Sequence, residues 1–321
     1  MIACYKDAQA IPLMYERLSV VFSALGVEHE IIFVNDGSPD DTALVLKAVT
    51  ARDDRVLAIE HSRNFGSQNA FVSGMELATG DAVVLLDGDL QDPPEVIPAL
   101  YEKWRQGNDV VYGRRAAREG SAVMSLAAKA FYRVFRRLSE VPVPLDAGDF
   151  SLIDRRVVDE LLRLPETDQF LRGLRAWVGF KQTGVDYVRP ERAFGRSTHS
   201  RLKNLWWAKK AIFSFSFLPV EALSYLGLAM TGLSVLALVY AVVRGLGLVA
   251  PLVAFFGSLN LLAVGVVGEY LVRAFEEVKR RPKFIRKAVW QGGTGVSDAR
   301  AIATFVQRRK AAAGSTEAGA G

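Results

Sequence analysis

The chain of 321 residues is too long for one small domain, and half of it is hydrophobic while 23% is charged. This mixture favours an α/β body with a local apolar insert over a protein that lies wholly inside a membrane. The single cysteine, Cys4, excludes an intrachain disulfide and a cysteine-based zinc site. The net charge of +5 is too small to indicate a nucleic-acid partner, and we expect none.

The first residues of the chain do not form a signal peptide, because residues 1–10 lack a basic start and a long apolar core. Residues 1–4 are instead typical of the last part of a strand. This pattern predicts that the first strand begins before the present start of the sequence.

Up to about residue 188, short apolar runs alternate with helical patterns. The runs predict strands near residues 30–34, 56–59, 82–86 and 109–112, with helices near 39–51, 69–78 and 95–106, and Ser38 is the predicted N-cap of the first of these helices. Such alternation predicts an α/β fold with a mainly parallel sheet and helices on both faces. Ligands of these sheets bind at the carboxyl ends of the strands, where Asp36 and Asp87 stand.

Two long apolar stretches follow, at about residues 220–243 and 251–274, and each is long enough to cross roughly 30 Å of hydrocarbon. Charge interrupts them only near their ends, at Glu221, Glu269 and Arg273. We predict two transmembrane helices. The alternative, a pair of buried core helices, is disfavoured because soluble helices rarely stay apolar on every side for this length.

The flanks of these stretches predict the orientation of the chain. Residues 189–210 and 279–287 are rich in Lys and Arg, whereas the connection at 244–247 carries one basic residue. By the positive-inside rule, both termini lie on the cytoplasmic side of the inner (plasma) membrane. Trp206 and Trp207 stand among the basic residues, and contact with anionic lipid headgroups explains this pattern better than nucleic-acid binding does.

These patterns divide the chain into four segments. They are a cytoplasmic catalytic domain (1–200), an amphipathic juxtamembrane segment (201–218), two transmembrane helices (219–275) and a basic cytoplasmic tail whose end is disordered (276–321).

The sequence Asp87-Gly88-Asp89 ends a predicted buried strand. Two carboxylates at this spacing can share a hard divalent cation, Mg²⁺ or Mn²⁺, whose remaining positions are filled by phosphate oxygens. Such a cation stabilises the charge of a diphosphate leaving group. The alternative is a turn in which an aspartate caps the next segment and Gly88 supplies an unusual backbone angle.

The run D-G-D-L-Q-D-P-P-E at residues 87–95 resembles the hallmark of the polyprenyl-phosphate glycosyltransferases of glycosyltransferase family 2. This group includes dolichol-phosphate mannose synthases and bactoprenol glucosyltransferases, and the resemblance covers nearly the whole chain. Further matching segments follow in the same order as in the family: Tyr5-Lys6-Asp7, V-N-D-G-S at 34–38, R-N-F-G at 63–66, A-T-G-D at 78–81, Y-G-R-R at 112–115, A-G-D-F at 147–150, and the two apolar stretches.

The resemblance implies a Rossmann-like GT-A fold and inverting transfer of a sugar from a nucleotide diphosphate to polyprenyl (undecaprenyl) phosphate. It assigns donor-nucleotide binding to Tyr5, Asp7, Asp36 and Asp87. It places the metal–diphosphate on Asp87 and Asp89, and it gives Gln91 the positioning of the sugar or the acceptor phosphate.

The resemblance also makes Asp149 a catalytic candidate. A polyprenyl phosphate has a second pKa of about 6 and is already mostly unprotonated at neutral pH, so a general base is not required. Asp149 therefore either orients the acceptor or sugar hydroxyls or caps a turn.

The lipid phosphate is a dianion and needs cations. Arg115, in the family's G-x-R segment, is the principal candidate, because a guanidinium can donate two hydrogen bonds to a phosphate at once. Arg118, Lys129 and Arg196 are further candidates. The sequence departs from the family where basic residues are common near 124–125 and where Thr198 replaces a lysine, and Arg196 is the candidate replacement for the missing charge.

The predicted donor is UDP-glucose, with mannose, GlcNAc or aminoarabinose transfer as alternatives, and the product serves cell-envelope glycan modification. Expected partners are the nucleotide sugar, polyprenyl phosphate, membrane lipids and a second copy of the chain. A processive polysaccharide synthase is disfavoured, because Gln169 and Arg172 are followed by Gly173 rather than by tryptophan. A non-catalytic membrane adaptor is disfavoured because Asp36, Asp87, Asp89 and Gln91 are intact.

Overall fold

The computed structural model describes residues 1–115, 147–167, 169–190, 218–245, 247 and 249–317. The chain forms two compact units. The first comprises Met1–Leu126, Pro142–Thr198 and Pro282–Gly321, and the second comprises Ala127–Val141 and His199–Arg281.

The first unit is built on one sheet. Its strands are β1 (Ile2–Cys4), β2 (Ile31–Asn35), β3 (Val56–His61), β4 (Ala82–Asp87), β5 (Val110–Arg115), β6 (Ala147–Asp154), β7 (Gln182–Tyr187), β8 (Arg286–Gln291) and β9 (Thr294–Val296). Its described helices are α1 (Ala10–Leu25), α2 (Thr42–Thr50), α3 (Ser67–Met75), α4 (Ile97–Arg105), which follows a 3₁₀ turn at Pro94–Val96, α5 (Arg155–Arg163), α6 (Leu171–Trp177) and α9 (Ala299–Glu317).

The strand order is β7-β5-β6-β4-β1-β2-β3-β8-β9. The central strands β4, β1, β2 and β3 are parallel, and β7 is parallel to β5. β6 runs antiparallel to β4 and β5, and β8 runs antiparallel to β3 and β9. The α/β class is confirmed, but the sheet is mixed rather than mainly parallel. The prediction missed this because a short apolar run indicates a strand without indicating the direction in which it pairs.

Helix α1 shows how the sequence builds the core. Ile11, Met14 and Leu18 recur at helical spacing and are buried, so one face of the helix packs on the sheet. The helix ends at Gly26, whose φ of 63° is left-handed and suits a residue without a side chain. The central strands are almost wholly buried, and their carboxyl ends are therefore fixed in place.

The carboxy-terminal segment belongs to this same unit. The sequence predicted a tail beyond residue 276 with a disordered end, whereas the structure adds β8 to the edge of β3 and forms a helix as far as Glu317. Ala288 and Val289 are buried in the sheet, and Arg309 forms an ion pair with Glu30 at 2.7 Å. The segment is basic in sequence, but its apolar residues and ion pairs give it a folded position.

The second unit contains two long helices, α7 (Leu218–Arg244) and α8 (Val249–Lys279), which contact each other. Large apolar side chains such as Val242, Leu261 and Leu271 are exposed on them. By length and composition, Phe255–Lys279 is the one described stretch that could cross a membrane, and Val235–Arg244 is a shorter apolar stretch. The two predicted spans thus correspond to two helices, and among the described residues one of the two meets the length and composition of a membrane span. The predicted juxtamembrane segment lies outside the described residues, except for Leu218.

Candidate active site

The carboxyl ends of β4, β1 and β2 form the edge on which the predicted donor residues stand. Asp87 is level with Ala3 and Asn35 is level with Cys4, so Asp87 and Asp36 flank β1. Two strand spacings separate them by about 10 Å. The N–H of Asp36 donates to the Cys4 carbonyl oxygen at 2.9 Å, and the N–H of Gly88 donates to that of Ala3 at 2.8 Å. These bonds extend the ladder into the loops and hold both aspartates at one edge.

Asp36 is buried and accepts three hydrogen bonds. Its Oδ1 accepts from the Phe65 N–H at 2.8 Å and from His61 Nδ1 at 2.9 Å, and its Oδ2 accepts from the Gly66 N–H at 2.8 Å. Because a carboxylate only accepts, His61 is the donor through Nδ1. Asp36 thereby fixes the R-N-F-G turn at residues 63–66.

Gly37 lets this turn approach the end of β2. Its φ of +64° is left-handed, and a Cβ placed there would lie 2.4 Å from the carbonyl carbon of Arg63. Any side chain at this position would therefore displace the turn that Asp36 holds.

The loop after β1 joins the other two loops. Lys6 has a left-handed φ of 63°, and its N–H donates to Ser38 Oγ at 3.0 Å. Asp7 Oδ2 accepts from the Tyr5 N–H at 2.8 Å and lies 2.8 Å from where a Cβ on Gly88 would be. Gly88 thus permits close contact between Asp7 and the Asp87–Asp89 turn, while Tyr5 is exposed.

Asp87 lies in a crowded group of carboxylates. Burial raises its pKa well above the usual range, and three neighbouring charges raise it further, those of Asp92, Asp149 and Asp89. Arg189 opposes this effect. The electrostatic repulsion at Asp87 is a strain that a bound cation would relieve.

Asp89 and Gln91 lie in the turn that follows. Asp89 is buried, and its Oδ1 accepts from the Gln91 N–H at 3.1 Å, while Leu90 between them has a left-handed φ of 60°. The Gln91 side chain donates through Nε2 to the Pro190 carbonyl oxygen at 3.4 Å. Asp89 thus caps this turn, and the left-handed residue in it is Leu90 rather than Gly88.

A metal site is incomplete within the part of the chain that the structure describes. There, no group of three or more His, Cys, Asp or Glu side chains is arranged to hold an ion. The donor set of Asp87 and Asp89 is oxygen only, which fits a hard divalent cation that takes further oxygens from water or a diphosphate.

Asp149 forms an ion pair with Arg172 through two hydrogen bonds. Its two carboxylate oxygens accept from Arg172 Nε at 3.0 Å and from Arg172 Nη2 at 2.9 Å. Burial alone would raise the pKa of Asp149, but the charge and hydrogen bonds of Arg172, with smaller effects of Arg175 and Gln68, lower it. A carboxylate held ionised in this way is a weak proton acceptor, and the geometry favours an orienting role over a general base.

Arg175 lies beneath this pair and was not predicted from the sequence. It is buried and donates to the Gly148 carbonyl oxygen at 3.1 Å and also to Ser151 Oγ. Burial lowers its pKa to about 10, which leaves it charged at neutral pH. The sequence showed Arg172 and Arg175 only as two basic residues at i and i+3, with no sign of their distant partners.

Arg115, the last residue of β5, stands beside a buried group formed by Asp92 and Tyr187. Tyr187 donates to Asp92 Oδ1, and the charge of Arg115 opposes the rise that burial causes in the pKa of both groups. Burial and the neighbouring Asp92 raise the pKa of Tyr187, so it remains a neutral donor. Arg189 Nε lies 3.6 Å from Asp92 Oδ1, and sequence reasoning did not include it among the site residues. Arg115 and Arg189 thus both lie near the Asp92 carboxylate.

The remaining predicted acceptor residues, Arg118, Lys129 and Arg196, lie outside the described residues.

Comparisons with known proteins place these features in context. Residues 1–162 match glycosyl transferase family 2. The chain is 39% identical over 295 residues to the uncharacterized glycosyltransferase YkcC of Bacillus subtilis (strain 168), across 89% of this chain and 91% of YkcC. It is 36% identical over 303 residues to the SfII prophage-derived bactoprenol glucosyl transferase of Shigella flexneri, across 91% and 98% of the two chains.

Among solved structures, a mannosyltransferase from Pyrobaculum calidifontis in complex with GDP-Man and Mn²⁺ is 16% identical, with a TM-score of 0.40. The match covers 88% of this chain and 86% of that one.

Proposed function

The chain belongs to glycosyltransferase family 2, and from this premise we propose that it transfers a sugar from a nucleotide diphosphate to polyprenyl phosphate with inversion. The observation that carries the proposal is the group of carboxylates around Asp87, flanked by Arg115 and Arg189 at one edge of the sheet. Such an edge can bind a cation–diphosphate and a second phosphate side by side.

The donor would bind along the loops after β1, β2 and β4. Asp36 would accept a hydrogen bond from the nucleoside, with Tyr5 and Asp7 close by on the next loop. We propose UDP-glucose as the donor, since relatives that cover nearly the whole chain are named bactoprenol glucosyl transferases. Transfer of mannose, GlcNAc or aminoarabinose by the same mechanism is the alternative.

The cation proposed for this site is Mg²⁺ or Mn²⁺, with Asp87 and Asp89 as the residues that would hold it. When bound, such an ion stabilises the charge that develops on the leaving diphosphate. Only the ionised carboxylate is a ligand, so the raised pKa of Asp87 opposes cation binding as the pH falls. Gln91 would position the sugar or the acceptor phosphate from the same turn.

The acceptor phosphate would be held by Arg115, assisted by Arg118, Lys129 and Arg196. An unprotonated phosphate oxygen attacks the anomeric carbon while the bond to the departing nucleoside diphosphate breaks. No proton needs to be removed at this step, which agrees with the lowered pKa of Asp149. Asp149 would instead orient Arg172 and the hydroxyl groups near it.

A lipid acceptor requires access to a membrane. We propose that α7 and α8 both span the inner membrane, with the catalytic unit and both termini in the cytoplasm and residues 201–218 on the lipid surface. Support comes from their lengths of 27 and 31 residues and from the exposed apolar side chains on both. A homo-oligomer held partly by these helices completes the proposal.

The test is a release assay on purified full-length protein with Mg²⁺ and UDP-glucose. UDP should form only when undecaprenyl phosphate is added, and a panel of nucleotide sugars would then identify the donor. Equal release with and without the lipid would indicate hydrolysis and contradict the proposal, as would no release with any donor.

A further inference from the structure

The segment after α8 contributes a side chain to the surroundings of Asp36. α8 ends at Lys279, and the chain from Pro282 onward belongs to the first unit. Within that unit the Phe284 ring stacks on His61, with ring centroids 5.4 Å apart and planes within 3° of parallel. The Ser62 N–H donates to the Ile285 carbonyl oxygen at 3.0 Å, so the backbone also fixes this contact.

Arg286 anchors the same segment to α3. Its guanidinium donates to Ser73 Oγ at 3.1 Å, to the Ser73 carbonyl oxygen at 2.7 Å and to Glu76 Oε2 at 3.0 Å. α3 begins directly after the turn at residues 63–66, which Asp36 holds. The segment is thus built into the nucleotide-binding half of the unit.

The two ring nitrogens of His61 differ in their surroundings. Nδ1 donates to Asp36 Oδ1, whereas Nε2 is buried and has no hydrogen-bond partner among the described residues. The side chain is 0% exposed, so water does not hold it in place. Packing does so instead, from Phe284 on its face and from Phe65 in a T-shaped contact at 5.7 Å.

We propose that His61 is a positioning residue for the donor nucleotide and that Phe284 holds it in place, which makes the carboxy-terminal segment part of the donor site. This inference rests on the proposed function, in which Asp36 contacts the nucleoside. A carboxylate has about four acceptor positions. His61 and Phe65 use those of Oδ1, and among the described contacts Oδ2 accepts only from Gly66. One position on Oδ2 is left for an N–H or O–H of the nucleoside.

Loss of the His61 hydrogen bond would leave the Asp36 carboxylate held only by the N–H groups of Phe65 and Gly66, so that its orientation would follow that turn and no longer the packed His61 ring. The free position on Oδ2 would then no longer point consistently toward the nucleoside. Loss of Phe284 would act through His61: the His61 ring could tilt, and its hydrogen bond to Asp36 would weaken.

Four variants separate these contacts. His61→Phe keeps a ring that can stack on Phe284 but removes the donor. His61→Asn keeps an N–H near the position of Nδ1. Phe284→Leu removes the stack alone. Phe22→Leu is the matched control, because Phe22 stacks on His29 with centroids 4.5 Å apart and planes within 13° of parallel, and neither residue bonds to Asp36.

The measurement is calorimetric titration of purified full-length protein with UDP and with GDP in the presence of Mg²⁺. We expect His61→Phe and Phe284→Leu to weaken binding of the preferred diphosphate about tenfold, which corresponds to about 1.4 kcal/mol. His61→Asn should stay within about threefold of wild type, and Phe22→Leu should not change the Kd. In turnover assays the loss should fall on the KM for the donor rather than on kcat, which a general loss of folding would not produce.

Wild-type affinity in both Phe284→Leu and His61→Phe, with binding lost in Asp36→Asn, would overturn the inference and leave the proposed function intact. If His61→Phe fails to fold, wild-type affinity of Phe284→Leu alone is enough to overturn it. Failure of the wild type to bind either diphosphate would instead overturn the proposed function, and the inference with it.

Discussion

The donor half of the sheet edge, at β1, β2 and β4, differs from the acceptor half, at β5–β7, in how its charged groups are held. Asp7 and Asp89 in the donor half accept from backbone N–H groups two residues away, and Asp36 accepts from a nearby turn. In the acceptor half, charged side chains hold one another instead, as in the pair of Asp149 and Arg172. Backbone N–H groups therefore hold most carboxylates of the first half, while side-chain pairs hold those of the second.

The difference has a consequence for function. Carboxylates fixed by backbone donors would be preorganised for the proposed cation–diphosphate. Side-chain ion pairs can rearrange when a second phosphate enters, because an arginine can exchange one anion for another. Substitutions in the two halves should consequently have different signatures.

Asp89→Asn should produce the largest effect. An amide is a neutral and weaker ligand for a hard cation, so turnover should fall at least 100-fold, or about 2.7 kcal/mol in the activation free energy. The unfolding midpoint should change little, since the amide oxygen can still accept from the Gln91 N–H. The measurement is acceptor-dependent UDP release, with Asp41→Asn as an exposed control. Retention of more than about a tenth of wild-type turnover would remove Asp89 as a principal ligand.

Arg172→Ala should mainly reduce stability. Removal of the guanidinium leaves the buried Asp149 carboxylate without its charged partner, at a cost of about 1–3 kcal/mol. Thermal unfolding should show a larger decrease than for Arg156→Ala, whose exposed pairs with Asp109 and Asp154 contribute about 0–1 kcal/mol.

A double variant with Asp149→Asn sharpens this test. It should recover part of the stability, because the unpaired charge is gone. Equal midpoints for the two arginine variants would mean that the Asp149–Arg172 pair is no stronger than a surface pair.

Arg115→Lys should separate the two halves directly. Lysine keeps the charge but loses the planar guanidinium, so the KM for undecaprenyl phosphate should rise about tenfold, or about 1.4 kcal/mol. The Kd for the nucleotide sugar should remain unchanged. A tenfold loss of donor affinity with an unchanged acceptor KM would assign Arg115 to the diphosphate site instead.

The smallest predicted effect is the release of protons when Mg²⁺–UDP binds. The pKa of Asp87 is raised in the free protein, and only the carboxylate form is a ligand, so binding of Mg²⁺–UDP should release a fraction of a proton. Affinity should accordingly fall as the pH is lowered through the raised pKa of Asp87. Calorimetry in buffers of different ionisation enthalpy measures this release, and Asp87→Asn should abolish it. Proton uptake on binding would contradict the assignment.

The strands of the donor half could be predicted from the sequence, because each is a short apolar run that ends at polar residues. The strands that end at Asp36 and Asp87 are present. Details that depend on neighbouring loops differed, as Ser38 shows. Predicted as a helix N-cap, it accepts instead from the Lys6 N–H, and α2 begins at Thr42, whose hydroxyl donates to Asp40.

Features that depend on long-range pairing could not be read from the sequence. Arg175 and Arg189 have partners 24 or more residues away. The antiparallel insertion of β8 beside β3 joins residues more than 200 positions apart, as Lys287 and Glu60 show. A basic segment resembles a tail until the edge strand that receives it is known.

The central claim is that the acceptor phosphate attacks the sugar directly at this edge. The configuration of the anomeric carbon in the lipid product tests it most directly. With UDP-α-D-glucose and undecaprenyl phosphate, the coupling constant of the anomeric proton in the purified product should be that of a β-linked glucosyl phosphate, as single inversion requires. An α-linked product would indicate retention and would contradict direct in-line transfer.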